Sequence, residues 1–137
     1  MSFEDERVAI ESRMSDNYSS TTVKYENIPY TQPTDATWVS LTILSGSGTV
    51  DSIGSGANRL ERFSGVIQID IYVPEDGGTK SARDIADLVH TVFDNVQFSS
   101  GSSGTITTRV PSYSTLGVEA GWHHSVVSVA YHRSKFS

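Results

Sequence analysis

The segment from Arg62 to Val96 constrains the fold more than any other part of the sequence. Its first half alternates between apolar and polar residues, the pattern of a strand with one buried face. The apolar face carries Ile67, Ile69, Ile71 and Val73, and the other face carries Gln68, Asp70 and Tyr72. Pro74 lacks a backbone donor, so the strand is expected to end there, before the turn residues from Glu75 to Gly78.

A strongly amphipathic helix is expected after this turn, over about residues 79–96. Thr79 can cap its N-terminus, and apolar residues then recur at spacings of three and four. They are Ala82, Ile85, Ala86, Val89, Val92, Phe93 and Val96. Because neither the strand nor the helix can bury its apolar face alone, we expect the helix to lie across the isoleucine face.

The other segments predict a second helix and several further strands. Ser2 and Asp5 resemble a capping box, which begins an N-terminal helix that runs to about Met14 or Asn17. Strands are predicted near residues 22–25, 37–44, 97–100, 105–110, 116–118 and 122–133. The last one is apolar on both faces, so it is either central in the sheet or covered by a neighbouring subunit.

These elements predict an α+β fold, with one mixed, mainly antiparallel β-sheet and two helices packed on it, the N-terminal helix and the central helix at about 79–96. A length of 137 residues predicts a single domain over residues 1–137. A Gly/Ser-rich loop is predicted at about 45–58. It is longer than a usual hairpin connection, so it is either functional or a tip without a role.

The composition excludes several classes of protein. The chain has no cysteine, which removes disulfides, thiol catalysis and thiolate metal sites. A formal charge of −6, from ten basic and sixteen acidic residues, disfavours nonspecific binding to nucleic acid. No apolar run reaches the length of about 20 residues that crosses a bilayer, and the acidic N-terminus does not resemble a signal peptide. We therefore expect no membrane association.

Catalytic, cofactor and metal sites are not predicted. His123 and His124 are neighbours in a strand, so their side chains point to opposite faces and cannot chelate one ion together. The glycine loop near Gly46 and Gly54 lacks the lysine of a phosphate-binding loop. Ser55 stands in Gly-Ser-Gly and not in a nucleophile elbow. The chain is therefore expected not to be an enzyme.

Two aromatic residues lie on the strand faces opposite the predicted core. Trp38 shares its face with Ser40 and Thr42, and Tyr72 shares its face with Asp70. Exposed aromatics on a sheet can mark a surface that binds a partner. The alternative is that the N-terminal helix or a loop covers them.

Six segments in this order resemble the tail terminator proteins of long-tailed, siphovirus-type bacteriophages. They are the acidic helix Glu4–Met14, Val23–Tyr30, Trp38–Leu44, Phe63–Glu75 with its Val-Pro-Glu and the following Gly78, the Ala82–Leu88 helix, and Gly121-Trp122 at the start of the last strand. Together they span nearly the whole chain. The order of the segments and the Val-Pro-Glu and Gly-Trp pairs carry the resemblance.

The resemblance implies a structural virion protein, made in the cytoplasm of the bacterial host, that binds no cofactor. It implies a homo-oligomeric ring, typically hexameric, at the head-proximal end of the tail. Such a ring caps the tail tube, stops the addition of major tail tube protein, and joins to the head-completion or connector protein. DNA would pass through its lumen without specific binding.

Partner contacts are predicted from position alone. Loop position suggests Asp51, Ile53, Arg59 and Arg62, and the face opposite the core suggests Trp38, Gln68, Asp70 and Tyr72. Two other functions stay open: another neck or tail component, such as a head-completion or tube-like protein, and a small-molecule enzyme. The enzyme would require a pocket in which His124, Asp70 and Tyr72 converge.

Overall fold

The computed structural model describes residues 2–19, 22–25, 37–50, 60–74, 80–99, 104–119 and 122–136. These residues form two helices and seven strands. In chain order they are α1 (Ser2–Asn17), β1 (Thr22–Lys24), β2 (Trp38–Val50), β3 (Leu60–Pro74), α2 (Lys80–Phe93), β4 (Gln97–Ser99), β5 (Thr105–Thr108), β6 (Ser112–Glu119) and β7 (Trp122–Phe136). The predicted α+β class is confirmed.

All seven strands belong to one sheet, in the order β1-β2-β3-β7-β5-β4, with β6 also paired to β7. The β1–β2 pair is parallel and every other pair is antiparallel. Strand β7 pairs with β3 from Trp122 to Phe136, while β6 and β5 share its other edge. Strand β7 is therefore central in the sheet, the first of the two predicted alternatives.

The core lies between the helices and the isoleucine face of β3, as the alternation predicts. Ile67, Ile69 and Ile71 are fully buried, and Val89 and Phe93 of α2 belong to the same cluster. Full burial of such a side chain contributes about 1.5–3 kcal/mol. Helix α1 completes the cluster from the same side of the sheet. The described helices therefore leave the other sheet face uncovered, and neither is long and apolar enough to span a membrane.

Helix α1 buries a charged residue that the sequence pattern did not identify. Glu6 lies in the stripe that continues with Ile10 and Met14, whereas Val8 is 46% exposed. The Arg133 Nε atom of β7 donates to Glu6 Oε1 at 3.3 Å, and neither side chain is more than 2% exposed. The Arg133 guanidinium also lies 4.5 Å from the centre of the Phe63 ring. Because the Arg133 side chain of β7 is buried, it requires an ionic partner, and Glu6 of α1 provides the carboxylate.

Strand β2 continues further than the sequence predicts. The strand runs to Val50. The register with β3 shifts between Ser45 and Gly48, and pairing then resumes between Gly48–Val50 and Glu61–Phe63. The predicted loop at 45–58 therefore begins later, and residues 51–59 lie outside the described residues. A Cβ atom at Gly46 would meet the Ser64 carbonyl oxygen, so glycine permits the close approach of the two strands there.

Helix α2 ends at Phe93, earlier than the predicted residue 96. Asn95 adopts a positive φ of 49°, which ends the helical path. The Thr108 hydroxyl of β5 donates to the Phe93 carbonyl at 2.7 Å and accepts from the Val96 amide at 2.9 Å. A buried threonine of the sheet therefore forms hydrogen bonds with backbone groups at the end of α2. This tertiary contact cannot be predicted from the helix sequence alone. The predicted cap, Thr79, lies outside the described residues.

Candidate functional site

A row of aromatic side chains crosses the sheet face that the helices leave uncovered. Trp38 on β2, Tyr72 on β3 and His124 on β7 stand directly opposite one another in the strand register. The Trp38 and Tyr72 rings stack with centroids 4.3 Å apart, and the Tyr72 and His124 rings stack at 4.4 Å. Trp122 meets Trp38 edge-on, with centroids 6.3 Å apart. We call these four residues the aromatic row.

A carboxylate supports the row from β3, two residues before Tyr72 and on the same face. The Asp70 Oδ1 atom lies 2.9 Å from His124 Nε2, and both side chains are only 12% exposed. Gln68 Nε2 donates to both oxygens of Asp70, at 3.3 and 3.2 Å. Because the Asp70 carboxylate accepts from two directions, the His124 ring is held in the plane that stacks on Tyr72.

Four of the predicted contact residues come together at this site. Trp38, Gln68, Asp70 and Tyr72 occupy neighbouring positions on β2 and β3, on the face where the sequence places them. Arg62 is exposed on the same face, near the opposite end of β3. Asp51, Ile53 and Arg59 lie outside the described residues.

Trp38 is more enclosed than an exposed contact residue would be, with 7% of its surface accessible. Helix α1 does not cover it, because α1 packs on the opposite face of the sheet. Tyr72 and Trp122 contact its ring instead. Trp38 therefore supports the other rings of the row, and Tyr72 and Trp122, which are half-buried, contribute more of the accessible surface of the row.

His124 and Trp122 were not among the predicted contact residues. Their parity along β7 places them on the uncovered face, but only the pairing of Tyr72 with His124 shows that they join Trp38. A strand register between segments so distant in sequence cannot be obtained from the period of either segment.

Among the described residues, His124, Asp70 and Tyr72 converge as a packed cluster of side chains. The three side chains are packed against one another on a sheet face. Grooves of about 430, 230 and 130 Å³ run along the helices instead, between α1 and β4, α1 and α2, and α2 and β6. Among the described residues, no group of three His, Asp or Glu side chains could hold a metal ion. A flat row of this kind fits a protein surface better than a small substrate.

The charged side chains concentrate on the helices. On α1, Arg7 Nη1 donates to Glu11 at 2.9 Å, and its contact with Glu4 lowers the pKa of the Glu4 carboxyl. On α2, Arg83, Asp84 and Asp87 are exposed. The uncovered sheet face carries mostly uncharged polar residues around the row, including Ser40, Thr42, Ser112, Ser114 and Ser128. The two sides of the molecule therefore present different chemistry to partners.

Comparisons with known proteins agree with this architecture. Seventeen chains of known structure match the fold. One of them has a TM-score of 0.77 and 22% sequence identity over 100% of this chain and 98% of that chain. A search of curated proteins found no significant match.

A profile of the phage tail terminator protein family matches residues 7–131. The matched range extends from α1 into β7, so it includes both helices, the sheet and the aromatic row. The family is one of structural phage tail proteins. This chain belongs to the phage tail terminator protein family.

Proposed function

We propose that this protein forms a ring, hexameric in the finished particle, that caps the head-proximal end of the phage tail tube. The ring stops the addition of tube subunits and offers a surface to the head-completion or connector protein. The family match over residues 7–131 is the observation that carries this proposal.

The aromatic row supports a role for the uncovered sheet face in binding another virion protein. Tyrosine and tryptophan are enriched among the residues that dominate protein interfaces, and a stacked row loses little conformational entropy on binding. Tyr72 and Trp122 would be the anchors, with Trp38, Gln68 and Asp70 fixing their positions. Arg62, Asp51, Ile53 and Arg59 are proposed as further contacts toward the other end of the β2–β3 hairpin.

The charge balance supports passage of DNA without specific binding. A net charge of −6 repels the phosphate backbone, whereas DNA-binding proteins cluster lysine and arginine. A ring made of such subunits would let the DNA slide through its lumen.

Polymerisation of purified tail tube protein in the presence of this protein tests the proposal. The wild-type protein should stop elongation and be found at one end of each tube by electron microscopy, and native mass spectrometry should give the mass of a ring.

Tyr72→Ala should weaken binding to its virion partner. Leu88→Ala, which changes an exposed residue on α2, is the matched control. Tubes that grow to unlimited length, with a protein that stays monomeric, would contradict the proposal. A head-completion protein would bind heads and leave tube length unchanged.

A further inference from the structure

Three described strands, β1, β4 and β6, have a described neighbour on one side only. Strands β5 and β6 lie one after the other against β7, but β4 pairs only with the outer edge of β5. Among the described strands, β6 has no partner on its outer side. At the far end of the sheet, β1 is the outermost described strand and pairs only with β2.

From Ser112 to Thr115, the outer edge of β6 carries no charge, proline or bulge of the kind that usually protects an edge strand. No charged residue occurs from Ser112 to Val118, and Leu116 and Val118 are 61% and 59% exposed. Natural edge strands are usually blocked by lysine, proline, bulges or covering elements, since unpaired backbone groups can bind another strand. The register shift between Thr115 and Gly117 leaves Ser112 to Thr115 as a regular stretch of edge. This stretch is suited to the addition of a short strand.

A groove beside this edge could receive a side chain from an added strand. It has a volume of about 130 Å³ and lies between α2 and β6. Its lining includes the apolar Ala86 and Val127 and the Tyr113 ring, with the Arg83 guanidinium 5.2 Å from the centre of that ring. Because Tyr113 pairs with Val127 of the core face, the groove lies on the helix side of the sheet. An added strand would therefore direct alternate side chains toward this groove.

We propose that the strand added to β6 is β1 of a neighbouring copy of this chain, so that the sheet continues from subunit to subunit around the ring. Strand polarity supports this occupant. β1 runs parallel to β2, and β2, β3, β7 and β6 alternate in direction, so β1 and β6 run in opposite directions. Rotation about an axis roughly along the strands preserves those directions, so β1 and β6 of neighbouring copies pair antiparallel.

The length of β1 and the faces to which its side chains point also fit β1 as the strand added to β6. The three residues of β1 match the regular stretch from Ser112 to Thr115. Val23 pairs with the buried Val39, so it would point to the helix side, toward the groove, and Lys24 would point to the other face with Ser112 and Ser114. Two different edges that meet head to tail generate a closed ring. This inference rests on the ring of the proposed function and names the surfaces that close it.

Disulfide cross-linking tests the pairing directly, because the chain has no cysteine. Lys24, Ser112 and Ser114 are exposed, and their side chains are assigned to one face of the continued sheet. Lys24→Cys combined with Ser114→Cys, or with Ser112→Cys in the neighbouring register, should give a ladder of covalent oligomers up to the full ring on mild oxidation. Lys24→Cys combined with Ser12→Cys on the exposed side of α1 is the control, and should give no ladder.

A charge placed on the edge provides a second readout. Thr115→Lys should raise the dissociation constant of the ring about tenfold or more, since Thr115 lies in the paired stretch and the new charge would face the neighbour's Val23 on the helix side. Val8→Lys introduces the same charge at an exposed position on α1 and should leave the ring intact. Circular dichroism should show both variants folded.

The outcomes separate this inference from the proposed function. A wild-type ring that caps tubes, together with no ladder from either cysteine pair and an unchanged ring in Thr115→Lys, would overturn the β6–β1 contact alone. A wild-type protein that stays monomeric in the presence of tail tubes would overturn both.

Discussion

The ion pair between Glu6 and Arg133 joins α1 to the central strand inside the core. Both side chains are removed from water, so their desolvation opposes the Coulombic attraction between them. The Phe63 ring beneath the guanidinium adds a cation–π contact. The pair therefore matters most for how α1 is positioned, because only one placement of the helix brings the carboxylate to Arg133.

Removing one partner of this pair should be strongly destabilising. We predict that Glu6→Ala lowers the free energy of unfolding by about 3–5 kcal/mol, since the arginine stays buried without its carboxylate. Urea denaturation followed by circular dichroism measures the change. Glu4→Ala, on the exposed side of the same helix, should change it far less, because solvent screens an exposed ion pair. Equal effects of the two substitutions would show that Glu6 carries no special role.

Tyr25 gives a pH dependence whose direction follows from its surroundings. Burial raises the pKa of its hydroxyl above the ordinary 10.0, and the Glu11 carboxylate raises it further, against a smaller opposing effect of a hydrogen bond with Ser15. The folded state then binds the proton more tightly than the unfolded state. The resulting stabilisation is present below pH 10 and is lost as the pH rises through the folded-state pKa.

We therefore predict that the free energy of unfolding decreases more steeply, as the pH rises above 10, in the wild type than in Tyr25→Phe. Parallel urea titrations of the two proteins across this range make the comparison, and the shared contribution of the other tyrosines cancels. Identical slopes in the two proteins would contradict the assigned shift.

At the scale of the elements, the aromatic row stabilises the uncovered face of β2, β3 and β7. It takes the place of a second helix layer there, because stacked rings shield one another from water. We predict that Trp38→Ala lowers the free energy of unfolding by about 3–5 kcal/mol, the range for large aromatic side chains removed from an enclosed position. Thermal and urea unfolding measure it.

Trp122→Ala is the matched control for Trp38→Ala, because Trp122 is more exposed and contacts Trp38 only edge-on. Its effect on stability should be smaller, and its effect on partner binding larger. If Trp122→Ala were the more destabilising of the two, the division between a supporting and a contacting tryptophan would be wrong.

The sequence predicts those helices and strands whose apolar residues recur with a clear local period. The alternation of β3 and the apolar positions of α2 are local patterns, so both elements and their packing are confirmed. The buried Glu6 could not be predicted, since a charged residue in an apolar stripe makes sense only once Arg133 lies beneath it. The end of α2 depends likewise on Thr108 of another strand.

The candidate site shows the same division. Strand parity places Trp38, Gln68, Asp70 and Tyr72 on one face, because alternation is local. The addition of His124 depends on the register between β3 and β7, and that register is set by the whole sheet.

At the scale of the whole molecule, the connection between β2 and β3 is expected to serve assembly. We predict that deletion of residues 52–56 leaves the fold intact, because hairpin strands can be joined by about 2–5 residues. The same deletion should reduce tail assembly, since loops on a rigid scaffold commonly carry binding residues. Circular dichroism, tail length by electron microscopy and infectivity in a complementation assay provide the readouts. Tails of normal length with full infectivity would show that this connection has no role in assembly.

Strand β7 pairs with β3, β5 and β6, and it follows all three in the chain. On the ribosome, β3 therefore emerges long before the neighbour that will lie along its whole length. Helix α2 comes next and can cover the isoleucine face early, but the backbone edge of β3 stays open until β7 has been synthesised. Unpaired strand edges in nascent chains promote aggregation. The yield of folded protein in an infected cell should thus depend on translation rate and on the chaperones available to the nascent chain.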